Sequence, residues 1–228
     1  MGIDLGEIWS HMSIIVKIIT IGMIVMSVYM FYIIAERLIT YRAASDQSIR
    51  YVQALGEYLR QHKVAEALNA AKQMNKSPVA KVMEAGLVAL VQGREALKTQ
   101  GPDDVGDFDL VDSVNRALER VKERETSNLR KGFAFLGTTA SATPFIGLLG
   151  TVIGILGTFQ LLRGGTVSIN EIGPKISEAL VSTALGLGVA IIAAMAFNYF
   201  TSRVEQYVID MNDVSSEFID YVLREGRN

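Results

Sequence analysis

The chain contains no cysteine, so disulfides and thiolate metal sites are excluded. Only two histidines occur, His11 and His62, far apart and in different kinds of segment. Neither a histidine metal site nor a Ser-His-Asp triad is expected from them, and both read as surface residues. Net charge is only −2, which leaves no basic field to suggest nucleic acid. No internal repeat, low-complexity tract, nucleophile–base pair, metal cluster or nucleotide motif is legible. An enzyme is therefore not the expectation.

Apolar residues are abundant instead. Half of the 228 residues are hydrophobic and mean hydropathy is +0.28. They are bunched into runs. The first, residues 18–35, holds eighteen residues without a charge and ends at Glu36-Arg37. That length suffices to cross a hydrocarbon core of roughly 30 Å. A signal peptide is the competing reading, but Asp4 and Glu7 stand where basic residues would be needed and no small-residue cleavage site follows. The second run, 133–162, has thirty uncharged residues, enough to tilt or project beyond the bilayer. The third, 176–200, is uncharged except for Glu178.

The expectation is an all-α integral membrane protein with three spans. Arg37, Arg42 and Arg50 follow span one, and Arg116, Arg120, Lys122, Arg124, Arg130 and Lys131 precede span two. The other side offers Lys17, Arg163 and Lys175. The positive-inside rule then places 1–17 outside, 36–132 in the cytoplasm, 163–175 as a short external loop, and 201–228 in the cytoplasm.

The insert 36–132 is not a linker. "YVQALGEYLRQ", "VAEALNAAKQ" and "VAKVMEAGLVALVQ" carry apolar residues at helical spacing, broken near "NKSP" and "TQGPDD". From Phe108, residues Leu110, Val111, Val114, Leu118 and Val121 mark one helical face, and nothing interrupts the pattern before Gly132. A helix continuous with span two is therefore expected. The tail "VEQYVIDMNDVSSEFIDYVL" is amphipathic and should pack beside it, completing a cytoplasmic helical bundle.

Gly147, Gly150, Gly154 and Gly157 resemble a phosphate loop only superficially, since the lysine and hydroxyl of GxxxxGK[ST] are missing and no strand precedes them. Small residues at three- and four-residue spacing let membrane helices approach closely. Span three repeats the device with Ala179, Thr183, Gly186, Ala190 and Ala193. So many small faces imply an oligomer or a tightly packed partner helix. Pro144, inside span two, frees the carbonyl one turn earlier. It makes either a kink without further purpose or, with the hydroxyls of Thr143 and Thr151, part of a polar path. Glu178 has two readings as well. It favours the positive end of its own helix, with Pro174 near the first turn, or it lies on an ion route. Thr183 either bonds back to its own helix or joins that route in company with other hydroxyls.

"ATPFIGLLGTVIGILGTF" and "ISEALVSTALGLGVAIIAAMAFNYF" resemble the two membrane signatures of the MotA/TolQ/ExbB proton-channel family, and "AERLITYR" resembles its first cytoplasmic boundary. The resemblance covers all three spans, their order and the large insert, and in plan it is closest to three-span TolQ/ExbB-type subunits. It implies a force generator in the inner membrane of a Gram-negative bacterium, with N-terminus periplasmic and C-terminus cytoplasmic. Five copies would surround two single-span helices of a TolR/ExbD-like partner, whose membrane aspartate carries the proton. By the same resemblance Thr151, Glu178 and Thr183 match ion-pathway positions, and Pro144 matches the proline of the PFIGL motif. Ser182 stands where the family often has alanine, adding a hydroxyl beside Thr183. No cofactor is implied. Protons are the expected coupling ion and sodium the alternative.

Partners expected on this reading are further copies of the chain, the TolR/ExbD-like protein, the lipid bilayer, and a TonB/TolA-like or gliding-machinery effector. Two other functions compete. A self-sufficient channel or transporter is disfavoured by the lack of inverted repeats and of polar groups at mid-membrane. A structural scaffold would leave the polar residues incidental.

Overall fold

The computed structural model describes residues 6, 9, 12–99, 109–162 and 169–225. His11, Phe108, the "TQGPDD" break beyond Thr99, and residues 163–168 of the expected loop lie outside them, as does most of 1–11. Six helices carry the described chain: α1 Ile14–Arg60, α2 Val64–Gln73, α3 Pro78–Thr99, α4 Leu110–Leu129, α5 Phe133–Leu162 and α6 Ile169–Glu225. No strand occurs among the described residues, so the all-α expectation holds. Three of the helices (α1, α5 and α6) are long and apolar enough to cross a membrane. With 47 and 57 residues, α1 and α6 far exceed the ~20 needed for one crossing. The chain divides into two units, one built from residues 1–35 and 132–199, the other from 36–131 and 200–228.

In the second unit the core follows directly from helical periodicity. Tyr51, Leu55 and Leu59 of α1 meet Val82, Met83, Leu87 and Leu90 of α3, with Val114 and Leu118 of α4. Met211, Val214, Phe218 and Val222 of α6 complete it, so the tail does pack beside α4. The buried α6 series Phe200, Val204, Tyr207, Met211, Val214, Phe218 steps by four and three, a heptad-like seam. Gly86 lets α3 and α4 close up, because a Cβ there would lie 2.6 Å from Leu118 Cδ2. Ser48 and Ser77 hydroxyls bond at 2.8 Å and Tyr207 Oη donates to Tyr41 O at 2.7 Å, whereas the buried Ser215 Oγ has no partner among the described residues. At the far end Glu225 is ion-paired with Arg94 and sits 3.2 Å from His62 Nδ1. Burial acts to raise Glu225, but the bonds from Arg94, His62 and Tyr221 outweigh it and hold the carboxyl below its ordinary value. Burial pushes the neighbouring Tyr221 phenol up to about 12.

Two boundaries differ from the sequence reading. The helix expected to run unbroken from the insert into span two stops at Leu129, with Arg130 as C-cap. Gly132 then takes φ +86°, the left-handed conformation that glycine adopts without a Cβ penalty. The carbonyls that end α4 are satisfied by Arg37 Nη1, 3.2 Å from Asn128 O, and by Tyr41 Oη, 2.7 Å from Leu129 O. The break thus lies just before Gly132, the first glycine after the amphipathic pattern. At the third run, helix begins at Ile169, so Pro174 lies inside α6 rather than near its first turn. A proline there removes one backbone bond, and α6 continues through it.

In the first unit, burial is turned outside in. Only 22–33% of the most apolar window of each spanning helix is buried within the chain. Ile14, Ile18, Val25, Val28 and Phe31 of α1, and Phe145, Leu148, Val152 and Phe159 of α5, are exposed. The interior of this unit holds Met23, Met30 and Leu136 together with the smaller Thr139, Thr143, Ala179, Ser182 and Ala193.

Candidate functional site

The seam between α5 and α6 is where the small residues meet. The helices run antiparallel, and added Cβ atoms measure their approach. At Gly186 a Cβ would lie 2.5 Å from Thr143 O, at Gly147 3.0 Å from Ser182 O, and at Gly154 2.9 Å from the Ala179 Cβ. At Gly150 it would lie 2.2 Å from Ser182 Oγ. At Gly186 and Gly147 the close neighbour is backbone, at Gly154 and Gly150 a side-chain atom, and a larger residue would force something to shift. Ala190 and Ala193 are buried farther along α6. Gly157 differs, since a Cβ there would meet nothing within 4 Å among the described residues.

Glu178 sits beside Ala179 on this seam and is 1% exposed. Its Oε1 accepts from the Ser13 backbone N–H at 2.8 Å. Ser13 immediately precedes α1, and its own hydroxyl lies 3.3 Å from Val16 N, the N-cap arrangement. The carboxylate is thereby tied to the beginning of the first span. One turn on, Ser182 is fully buried and its Oγ has no hydrogen-bond partner among the described residues. The same holds for Thr20 Oγ1 on α1 and Thr139 Oγ1 on α5. Unpaired hydroxyls in an apolar interior cost free energy, and this unit carries three of them.

The other hydroxyls divide by partner. Thr143, fully buried, donates to Thr139 O at 2.7 Å and Thr151 to Leu148 O at 2.6 Å, both within α5. Thr183 does not bond back to its own helix. It donates across the seam to Gly147 O at 3.0 Å, locking α6 to α5 beside Ser182. The structure therefore gathers Glu178, Ser182, Thr183 and Thr143 along one seam, while the Thr151 hydroxyl is spent in its own turn. Pro144 is half-buried within an α5 that continues past it.

The sequence reading missed the Ser13 amide, Thr20 and Thr139. Ser13 carried a usable signal, as an N-cap residue directly before an apolar run. Thr20 and Thr139 were visible only as hydroxyls within uncharged runs.

Three apolar helices long enough to cross a bilayer and a glycine-tight seam carrying buried hydroxyls define, among the described residues, a helical membrane protein. The MotA/TolQ/ExbB proton channel family model matches residues 74–213, well over half of the chain, and the chain belongs to that family. Biopolymer transport protein ExbB of Xanthomonas campestris pv. campestris is 44% identical over 97 residues, covering 42% of this chain and 38% of the relative. Tol-Pal system protein TolQ of Haemophilus influenzae is 36% identical over 118 residues, 51% of this chain and 52% of the relative. TolQ of Pseudomonas aeruginosa is 28% identical over 220 residues, 95% of this chain and 92% of the relative. The matches to the Xanthomonas and Haemophilus proteins thus span about two fifths and one half of those relatives.

Proposed function

We propose that this chain is the channel subunit of a proton-motive-force-driven motor in the bacterial inner membrane. It would work with a TolR/ExbD-like single-span partner to couple proton flow to import, envelope maintenance or gliding, through a TonB/TolA-like or gliding effector. The N-terminus is periplasmic and the C-terminus cytoplasmic on this reading, and several copies, five by resemblance, enclose the partner helix. The observation that carries it is the buried Glu178 carboxylate, next to the unpartnered Ser182 hydroxyl, in a seam too tight for larger side chains. Glu178 lies only nine residues into α6, and no other acidic residue occurs in 176–200. A single carboxylate at one end of a span cannot relay a proton across it. A second one, supplied by a partner helix, completes the route.

The Ser13 contact favours a second reading, in which Glu178 is a structural cap for α1. Glu178→Gln separates the two, because the amide oxygen still accepts from Ser13 N but the group no longer ionises. The motor reading expects Glu178→Gln to assemble normally and co-purify with its partner while abolishing proton-dependent work in cells. Full cellular activity of that variant would favour the scaffold. Purification with no single-span, aspartate-bearing partner would overturn the motor reading.

A further inference from the structure

A second polar feature lies wholly in the 36–131 and 200–228 unit and plays no part in the seam. It is a cavity of about 390 Å³, within the roughly 300–1,000 Å³ usual for small-molecule sites. Arg37, Lys76, Lys81 and Lys131 line it, against a single acidic lining residue, Glu125. Arg37 and Lys81 are its fixed floor. The Arg37 guanidinium is held by Glu36 and by the carbonyls of Asn128 and Leu129, and Lys81 Nζ lies 2.9 Å from Glu125 Oε2. Asn128 Nδ2 donates to the other Glu125 oxygen at 3.0 Å. Even with Glu36 counted, positive charge stays in excess by two. Lys76 and Lys131 are exposed at the rim; Lys131 feels the Glu36 carboxylate, which is itself engaged by Arg37. The first turn of α3, at Pro78 and Lys81, forms one wall and turns the positive end of that helix toward the cavity.

The position of these residues in the chain says what kind of anion would meet them. Arg37 follows the first apolar run by two residues, and Lys131 precedes the second by two. Both therefore stand at headgroup depth, whichever side of the membrane they face. Ile39, also lining the cavity, is 69% exposed and offers an apolar surface beside the cations. Phosphate next to hydrocarbon is the chemistry of a phospholipid.

We propose that this cavity binds the phosphate headgroup of an anionic phospholipid, with Lys76 and Lys131 as its two mobile cations over the fixed Arg37 and Lys81. Net positive charge selects an anionic headgroup over a zwitterionic one, and basic pockets beside spanning helices suit such lipids.

The test uses the detergent-solubilised full chain, offered equal amounts of phosphatidylglycerol and phosphatidylcholine with the same acyl chains, with retained lipid read by native mass spectrometry. Phosphatidylglycerol should be retained in preference. Lys76→Gln with Lys131→Gln should weaken that retention by roughly fivefold for each cation removed. Lys76→Arg with Lys131→Arg should restore it, which rules out a folding defect. A control pair of exposed changes outside the cavity, Lys72→Gln with Arg120→Gln, should leave it unchanged. Equal retention of both lipids, indifference to the Lys76/Lys131 pair, or an equal loss in the control pair would each overturn the proposal. Displacement of the lipid by millimolar glycerol 3-phosphate as effectively as by phosphatidylglycerol would reassign the cavity to a soluble phosphate and also overturn it.

Discussion

The two units of this chain are built from the same kind of helix and packed by opposite rules. In the unit of 36–131 and 200–228, large side chains such as Tyr51, Leu87, Met211 and Phe218 are fully buried. That is what water demands, because removing apolar area from it stabilises by about 25 cal/mol per Å². In the unit of 1–35 and 132–199, many large side chains of the spanning helices are exposed; Met23, Met30 and Leu136 are fully buried, but the seam between α5 and α6 is made by glycine, alanine and hydroxyls. Lipid is as apolar as leucine, so burying leucine there gains nothing. Close backbone approach and interhelical hydrogen bonds must hold the helices instead. The difference teaches where a mutation will hurt: in one unit deletions of bulk, in the α5–α6 seam of the other additions of it.

The largest expected effect is in the water-facing core. Phe218→Ala should destabilise that unit by about 3–5 kcal/mol, measured by thermal unfolding in detergent. The matched deletion Leu148→Ala, on the exposed side of α5, should leave the unfolding midpoint almost unmoved. Equal effects at the two sites would break the comparison. Next come the glycines, where the sign itself is diagnostic. Gly186→Ala forces a methyl to 2.5 Å from a backbone oxygen and should cost about 1–3 kcal/mol. Gly157→Ala meets open space and should stabilise by about 0.5–1 kcal/mol through helix propensity. A destabilising Gly157→Ala would instead reveal a neighbouring chain at that face. The smallest effect is electrostatic. Glu225 is held below the ordinary carboxylate value of 4.5, so its contribution to stability is present above that pH and lost as pH falls through the lowered value. Arg94→Ala should therefore be less stable than the parent chain at pH 7, with the gap closing in acid below about pH 4. A gap that stayed constant across this range would detach Arg94 from the titration of Glu225.

Much of this was legible in advance, for identifiable reasons. A span announces itself by the absence of charge over eighteen or more residues, and a close helix seam by small residues at three- and four-residue steps. Both are local periodicities. The helix stop at Leu129 was not read, because the amphipathic pattern before it is uninterrupted and the decisive element is the backbone angle at Gly132. The early beginning of α6 was not read because Pro174 looks like a first-turn residue, whereas a helix tolerates losing one bond there. The Ser13 contact to Glu178 could not be read at all, since 165 residues separate donor and acceptor. Nor could the cavity around Arg37, whose cations come from two helices, α1 and α3, and from the turns before α3 and before α5. In both cases the sequence supplies the chemistry of each residue but not its neighbour.

The contact between Gly150 and Ser182 has one more consequence. The space at that crossing holds one hydroxymethyl group and no second carbon, so the two positions share a single volume. Their histories should then be linked. Lineages that trade Ser182 for something smaller free the opposite helix to drift from glycine, while those that enlarge position 150 must first have surrendered the hydroxyl. Among relatives, such a pair would vary together or stay fixed together, a correlation written by geometry rather than by chemistry.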